Sequence, residues 1–408
     1  MPGISLPLAP KAFFRGTHRL IPPRETVDRV RPLMGTLGIT RVANVTELDV
    51  IGVPVVMVVR PNSRTICVSQ GKGFDLDAAK ASGLMESVEM FHAERIQLPL
   101  QLASYEEFRR GHCTVDVRML TPAQERRFHK GLKLQWIEGR DLLQNESVWL
   151  PYEVAHLNFC LPLPQGSGCF YGSSNGLASG NHILEAISHG LCEIVERDAT
   201  ALWQLLDRRA RAKTRLDLDS VDDPACLEIV EKYKRAGILA AVWVITSDIG
   251  IPAFRCSIFP REARTMHSVH LADGFGCHPD RGVALMRALT EAAQARLTLI
   301  AGSRDDLERG RYDPRLIAEY LRGEEALFKS RACMSRFSDI ATWNSKSFDS
   351  DVAWELERVR KAGIERVIVV DLTRADFRLP VARVVVPGLE VSGTFPGRRA
   401  RAFRRARS

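Results

Sequence analysis

Residues 174–200, SNGLASGNHILEAISHGLCEIVERDAT, place four acids on one short segment: Glu185, Glu193, Glu196 and Asp198. Glu193 and Glu196 are three apart, and Glu185 lies eight residues before Glu193. On a helix those offsets bring the three glutamates toward a similar face. Like charges at helical neighbour spacing repel, and a bound cation would resolve the conflict.

Two other stretches repeat the pattern. Glu86 and Glu89 sit three apart in DAAKASGLMESVEMFHAER (77–95), with Glu94 further on. Arg287 and Glu291 sit four apart in GVALMRALTEAAQARLTLIAG (282–302), with Gln294 and Arg296 beyond. Taken singly, a Glu pair on an amphipathic helix is a solvated face, and Arg287–Glu291 is a surface ion pair. Taken together they read differently, because their neighbours are small or apolar: Ala81, Ser82 and Gly83; Ala186, Ile187 and Ser188; Ala288, Leu289, Ala292 and Ala293. Small neighbours permit close approach, and close acids need cations. Oxygen donors without His or Cys at ligand spacing favour Mg²⁺ over zinc, and Mg²⁺ commonly sits between carboxylates and substrate phosphates.

Familiar alternatives are missing. Gly71-Lys72-Gly73 lacks the earlier glycine and the following Ser/Thr of a P-loop. No GxGxxG follows a strand, and there is no GxSxG. His267, His270, Cys277 and His278 cluster in TMHSVHLADGFGCHPD, but neither CxxC nor Hx₃₋₅H spacing is met, so the stretch reads as strand and loop. Cys192 reads as a small core residue. Cys277, in a Gly-rich loop, is the less ordinary thiol, though no catalytic role is assigned to it.

These side chains need elements to hold them. The Ser-Asn-Gly turn at 174–176 feeds a helix whose apolar stripe is Ile183, Leu184, Ile187, Leu191, Ile194 and Val195. Helical spacing is also present at 26–38, 77–95, 221–236, 282–302 and 351–364. Segments 51–61 and 64–73 read as a strand pair, as do GILAAVWVITSD and IPAFRCSIF; 366–373 and 380–391 are further strands. Residues 1–25 look irregular, and 105–150 mixed. Interleaved helices and strands argue an α/β or α+β chain with a large sheet.

With 408 residues, the chain can bury a large core as one domain or two. Its 45% hydrophobic and 26% charged content is that of a soluble globular protein. No apolar run approaches the length of a membrane span, and the N-terminus lacks a signal peptide's apolar stretch. Nine scattered cysteines without CxxC suggest reduced thiols and a cytoplasmic location. The net charge of +8 owes six units to Arg398, Arg399, Arg401, Arg404, Arg405 and Arg407, so the body is near neutral. The tail reads as solvated and disordered rather than as a grip on nucleic acid or an acidic partner.

Four of these segments together resemble the YcaO superfamily, ATP-dependent enzymes that modify peptide backbone amides. They are SGLMESVE with Glu86 and Glu89, the SNGLASGNHILEAISHGLCEIVERDA run, RALTEAAQAR at 287–296, and VVVPGLE at 384–390. The resemblance implies a YcaO-type ATP-binding fold of large mixed sheets and packed helices, without a P-loop. It implies an N-terminal segment (1–59) contributing to the nucleotide site, a catalytic domain (60–392) and a basic tail (393–408). Carried over, Glu86, Glu89, Glu185, Glu193, Glu196 and Glu291 would hold Mg²⁺. Asn181, Arg197 and Arg287 would meet the ATP phosphates, with Lys11, Thr17, Arg19, Lys72 and Gln294 as further nucleotide contacts.

The implied chemistry is addition of a nucleophile to an amide carbonyl and phosphorylation of the resulting oxygen by ATP. Azoline-forming members commonly end in a proline-rich tail; this sequence ends LEVSGTFPGRRARAFRRARS. The GTHR near the start and VVVPGLE near the end look more like members acting with a TfuA-type partner, some of which install thioamides. The expectation is thioamidation of a peptide or protein, with azoline cyclodehydration and a non-catalytic peptide-binding scaffold as the alternatives. A homodimer is the default for a soluble enzyme, and no membrane or nucleic-acid partner is expected.

Overall fold

The computed structural model describes residues 6–390, apart from Gln124, 261–270 and scattered positions within 308–334, and also Arg399. The helices are α1 (Pro23–Val30), α2 (Leu76–Glu94), α3 (Tyr105–Phe108), α4 (Ile183–Gln204), α5 (Arg208–Lys213), α6 (Pro224–Arg235), α7 (Arg281–Ala301) and α8 (Phe348–Lys361). The strands are β1 (Arg41–Asn44), β2 (Val55–Val59), β3 (Val68–Lys72), β4 (Leu100–Ser104), β5 (Lys133–Asp141), β6 (Glu146–Pro151) and β7 (Leu177–Ser179). They continue with β8 (Ile238–Val244), β9 (Ala253–Pro260), β10 (Ala272–Cys277), β11 (Ile368–Asp371) and β12 (Val381–Val385).

The strands form three sheets: β1-β2-β3, β10-β9-β8, and β4-β5-β11-β12-β7 with β6 also on β5. Every pairing between these strands is antiparallel, so the large mixed sheet expected from the sequence resolves into three antiparallel ones. The β2–β3 pair and the β8–β9 pair fall where the apolar alternation put them. The helix expected over 26–38 stops at Val30 and tightens into a 3₁₀ turn at Arg31–Leu33. Pro32 explains this, since it has no N–H to donate and its ring crowds the preceding turn. Strand β7 lies inside what reads as a loop; three residues are too few to show a period, and its partner β12 is two hundred residues away.

Two sheet–helix units share one device. A chain of three antiparallel strands ends in glycines that lie under the next helix: Gly71 of β3 and Gly73 just after it beneath α2, Gly274 and Gly276 of β10 beneath α7. A Cβ at Gly71 would collide with the Ala79 carbonyl and the Gly83 amide; one at Gly274 would meet the Ala288 carbonyl and the Ala292 amide. The bare glycines let helix backbone approach strand backbone, which brings the outward carboxylates of α2 and α7 close to β3. Helix α4 lies across β7 and β12 and buries Leu184, Ile187, Leu191, Ile194 and Val195, the apolar stripe read from the sequence.

Gly71→Ala should lower stability by about 2–3 kcal/mol through overpacking, read as a shift of the denaturant midpoint at unchanged slope.

Candidate active site

Helices α2, α4 and α7 and strand β3 deliver the acids. Asp75 caps α2, accepting from Ala78 N at 2.9 Å. Asp280 caps α7 through the amides of Gly282 (2.8 Å) and Val283 (3.1 Å). Each cap gives an orphan helix-end donor a partner. From α2 come Glu86 and Glu89, from α4 Glu193 and Glu196, and from α7 Arg287 and Glu291.

These carboxylates line a recess, and most keep some contact with solvent while surrounded by protein. Desolvation pushes Glu86 up to about 7, offset by Arg304 and Lys72 and reinforced by the Glu193 charge. It pushes Glu89 up to about 8 against the hydrogen bonds from Ser179, with Glu86 and Glu193 adding to the rise. Ser179 donates its amide (2.8 Å) and hydroxyl (2.7 Å) to Glu89 Oε1. Glu196, 8% exposed, rises to about 7 through burial and then the charge of Glu291. Its Oε2 is buried without a hydrogen-bond partner. Glu291 is also desolvated, yet Lys72 Nζ at 2.6 Å holds its carboxyl below the ordinary value; Phe275 N donates to its other oxygen at 3.2 Å.

The cations are arranged differently from the acids. Arg287 lies in the field of Glu196, Glu291 and Glu193, which holds its pKa up against burial, and its Nε has no partner. Arg197 Nη2 pairs with Glu193 at 3.2 Å, while its Nε is also unpartnered. Guanidinium donors left over beside carboxylates suit a multiply charged anion such as a phosphate.

Other expected residues fall at the margin or elsewhere. Glu185 accepts from Arg19 Nη1 (3.3 Å), Leu20 N (3.3 Å) and Asn181 N (3.2 Å). Asn181 is buried against α1: its Nδ2 donates to Thr26 Oγ1 at 3.0 Å and its Oδ1 accepts from Arg29 Nη1 at 3.0 Å. Thr17 sits in a loop closed by the Phe13–Arg19 bridge, beside Gly16 with its φ of +69°. Lys11 is buried in an ion pair with Asp351 at 2.5 Å, with His18 Nδ1 at 3.1 Å. Gln294 donates to the Gln70 carbonyl at 2.8 Å. Asp198 turns away from the recess, accepting from Glu390 N at 3.0 Å and pairing with Arg399 at 3.1 Å.

Cys192 and Cys277 are both buried, and Cys192 Sγ donates to Glu355 Oε1 at 3.5 Å. His267 and His270 lie outside the described residues. His278 groups instead with His18 and Asp351, where the Lys11 ammonium already supplies a positive charge.

Sequence reasoning missed two groups at the recess. His189 lies on α4 between Glu185 and Glu193, four residues from each, and the charges of Arg287, Arg19 and Lys72 add to the burial that keeps it neutral. That i±4 spacing was a usable signal. Arg304 acts on Glu86 from beyond the end of α7, and nothing local announces it.

Five carboxylates from three helices, three of them pushed toward protonation and one with an orphaned oxygen, fit hard cations; the donor set is all oxygen, as Mg²⁺ requires. The family profile described as YcaO cyclodehydratase, ATP- and Mg²⁺-binding, matches residues 70–390. An uncharacterised protein encoded in the tfuA 3′ region of Rhizobium leguminosarum bv. trifolii is 37% identical over 392 residues, covering 91% of this chain and 89% of that protein. An uncharacterised Methanothermobacter thermautotrophicus protein is 33% identical over 388 residues, 94% of this chain and 97% of its own. A heterocyclase solved in complex with substrate and cofactor superposes with a TM-score of 0.79 at 25% identity over 95% of this chain. This chain spans about half (54%) of the heterocyclase's length. YcaO from Methanopyrus kandleri, bound with AMPPCP and Mg²⁺, gives a TM-score of 0.72 at 24% identity, covering 94% and 95% of the two chains. The chain belongs to the YcaO family of ATP- and Mg²⁺-binding, ATP-dependent peptide-modifying enzymes. Among the described residues, no helix is long and apolar enough to cross a membrane.

Ligation requires the ionised carboxylate. With Glu86 and Glu196 near 7 and Glu89 near 8, Mg²⁺ binding at pH 7 should release about two protons. Calorimetry in buffers of different ionisation enthalpy measures that number, and affinity should climb from pH 6 to 8. The sign for folding is opposite. These raised groups impose no penalty below the unfolded value near 4.5, and their full penalty appears above about 8, so metal-free stability falls across that window. Glu196→Gln should therefore stabilise the metal-free protein at pH 8 by about 1–2 kcal/mol while weakening Mg·ATP binding.

Proposed function

We propose that this chain activates a backbone amide of a peptide or protein by ATP-dependent phosphorylation of the amide oxygen, giving a thioamide with a sulfur donor and a TfuA-like partner. The observation that carries the reading is the convergence of Glu86, Glu89, Glu193, Glu196 and Glu291 with Lys72, Arg197 and Arg287 on one recess. The relative encoded beside tfuA supports the thioamide product and the partner.

Bound Mg·ATP supplies the phosphoryl group that makes the amide oxygen a leaving group, and its metal neutralises phosphate charge. In this reading the five recess acids and Glu185 hold the metal ions. Arg287 and Arg197, each with an unpartnered Nε, would clamp phosphate oxygens. Lys72 bridges Glu291 and the nucleotide. Arg19, Thr17 and Asn181 border the nucleotide from the N-terminal side; Lys11 is placed to order that border through Asp351 rather than to touch a phosphate from its present position. Overall, amide, hydrosulfide and ATP become thioamide, ADP and phosphate. The sulfur adds to the carbonyl carbon, the C–O bond breaks with departing phosphate, and the S–H proton is lost.

The azoline product keeps a specific observation in its favour, the likeness to a heterocyclase at 25% identity. Incubation with ATP, Mg²⁺, sulfide and a candidate substrate peptide, read by mass spectrometry, separates the two. Exchange of oxygen for sulfur supports the thioamide; loss of one water shows the azoline. Glu193→Gln should weaken Mg·ATP binding at least about ten-fold with little change in melting temperature. Unchanged ATP turnover in that variant would remove Glu193 from the site.

A further inference from the structure

Behind Glu193 lies a cavity of about 70 Å³ that none of the recess acids lines, several times the room one water needs. Arg383 of β12, Asn175, Ile194 of α4, Tyr171 and residues 384–387 are among the residues that line it. Arg383 is 3% exposed. Its Nε donates to the Val154 carbonyl at 2.9 Å and its Nη2 to the Ser173 carbonyl, but Nη1 is buried without a protein partner. Asn175 Oδ1 is buried and unpartnered in the same cavity.

A buried guanidinium arm without a partner costs more than a hydrogen bond is ordinarily worth. The same cavity is lined by Asn175, whose side-chain oxygen is also unpartnered. A simple anion would satisfy Arg383 and be repelled by Asn175 Oδ1. A backbone amide satisfies both, its carbonyl accepting from Nη1 and its N–H donating to the Asn175 side chain. The rest of the lining mixes aliphatic residues with Thr121, Ser173 and Glu390, and Tyr171, 43% exposed, reaches solvent from the rim. Phe159, 51% exposed, packs against the neighbouring Gly172. Ile194 in the cavity wall is the next residue after Glu193, and Glu193 is the charge that acts on Arg383.

We infer that this cavity is the peptide subsite, in which Arg383 and Asn175 grip one backbone amide of an extended peptide so that a neighbouring amide faces the Glu193 side of the recess. The inference rests on the amide-activation reading and adds to it the residues that recognise the substrate. Side-chain identity at the gripped position plays no part, because both contacts are to main chain.

The probe is acetyl-triglycine amide, added to the protein saturated with Mg²⁺ and AMPPCP. A crystal soak should place a probe carbonyl oxygen on Arg383 Nη1 and a probe N–H on Asn175. In NMR titration, Asn175→Ala should weaken the probe about five-fold and Arg383→Lys more than about ten-fold, with AMPPCP affinity unchanged in both. The probe seated elsewhere, acetate preferred over the probe, or unaltered probe affinity in Asn175→Ala would overturn the inference. So would a parallel loss of AMPPCP binding in a folded variant. Should Arg383→Lys fail to fold, the soak and Asn175→Ala decide. Failure of the wild-type protein to bind Mg·AMPPCP would instead overturn the amide-activation reading itself.

Discussion

Carboxylates gathered where water is scarce, at a cost set first by desolvation and then by their mutual repulsion, are the constraint on which this molecule turns. Glu86, Glu89, Glu193, Glu196 and Glu291 approach from three helices into a recess where water cannot screen them fully. Lys72 and Arg287 offset part of that charge; desolvation, and after it the neighbouring carboxylates, leaves Glu86, Glu89 and Glu196 pushed toward protonation. A chain without a use for cations would gain stability by replacing any of these acids with a neutral residue. Their retention in one place is understandable once ions and phosphates complete the charge balance.

The fold meets this repulsion with rigid backbone contacts. Glycines under α2 and α7 remove a layer of side chains, so the helices seat directly on β3 and β10. Helix α4 is fixed on its other side by the apolar packing of Leu184, Leu191 and Val195 against β12 and α8. Ion pairs among flexible side chains would have relaxed apart. Close-packed backbone does not, and it holds like charges within reach of one another until a cation arrives.

The same helix separates two chemistries. One face of α4 presents Glu193 and Glu196 to the recess. Ile194, between them, faces the cavity that Arg383 and Asn175 leave polar and unpartnered. A phosphoryl donor on one side and a peptide amide on the other would meet at Glu193, which fits an enzyme whose work is to bring two substrates together and neutralise the charge between them.

Much of this was legible in the sequence because local spacing carries it. Helices at 77–95 and 282–302, the apolar stripe of α4, the two hairpins, the two glutamate pairs and the Arg287–Glu291 pair all follow from periods of 3.6 and 2. The motif runs were also enough to point to the YcaO family. What spacing could not convey was which residues each side chain would find across the fold. Asp198 belongs to the same acid run as Glu196, yet its position on the helix turns it to Glu390 and Arg399. Lys11 and Asn181 are drawn to Asp351 and to α1. His189 joins the recess with no motif of its own beyond its spacing, and β7 exists because β12 offers it an edge. Arg383 looks like a charge misplaced in a valine-rich strand until the folded chain sets Ser173, Val154 and Asn175 around it. The sequence by itself determined the elements, the acids and the family, because those depend on neighbours along the chain. Only the tertiary structure decided which charges meet and which stay unpaired, because desolvation and Coulomb energy depend on distances that close only when remote segments pack.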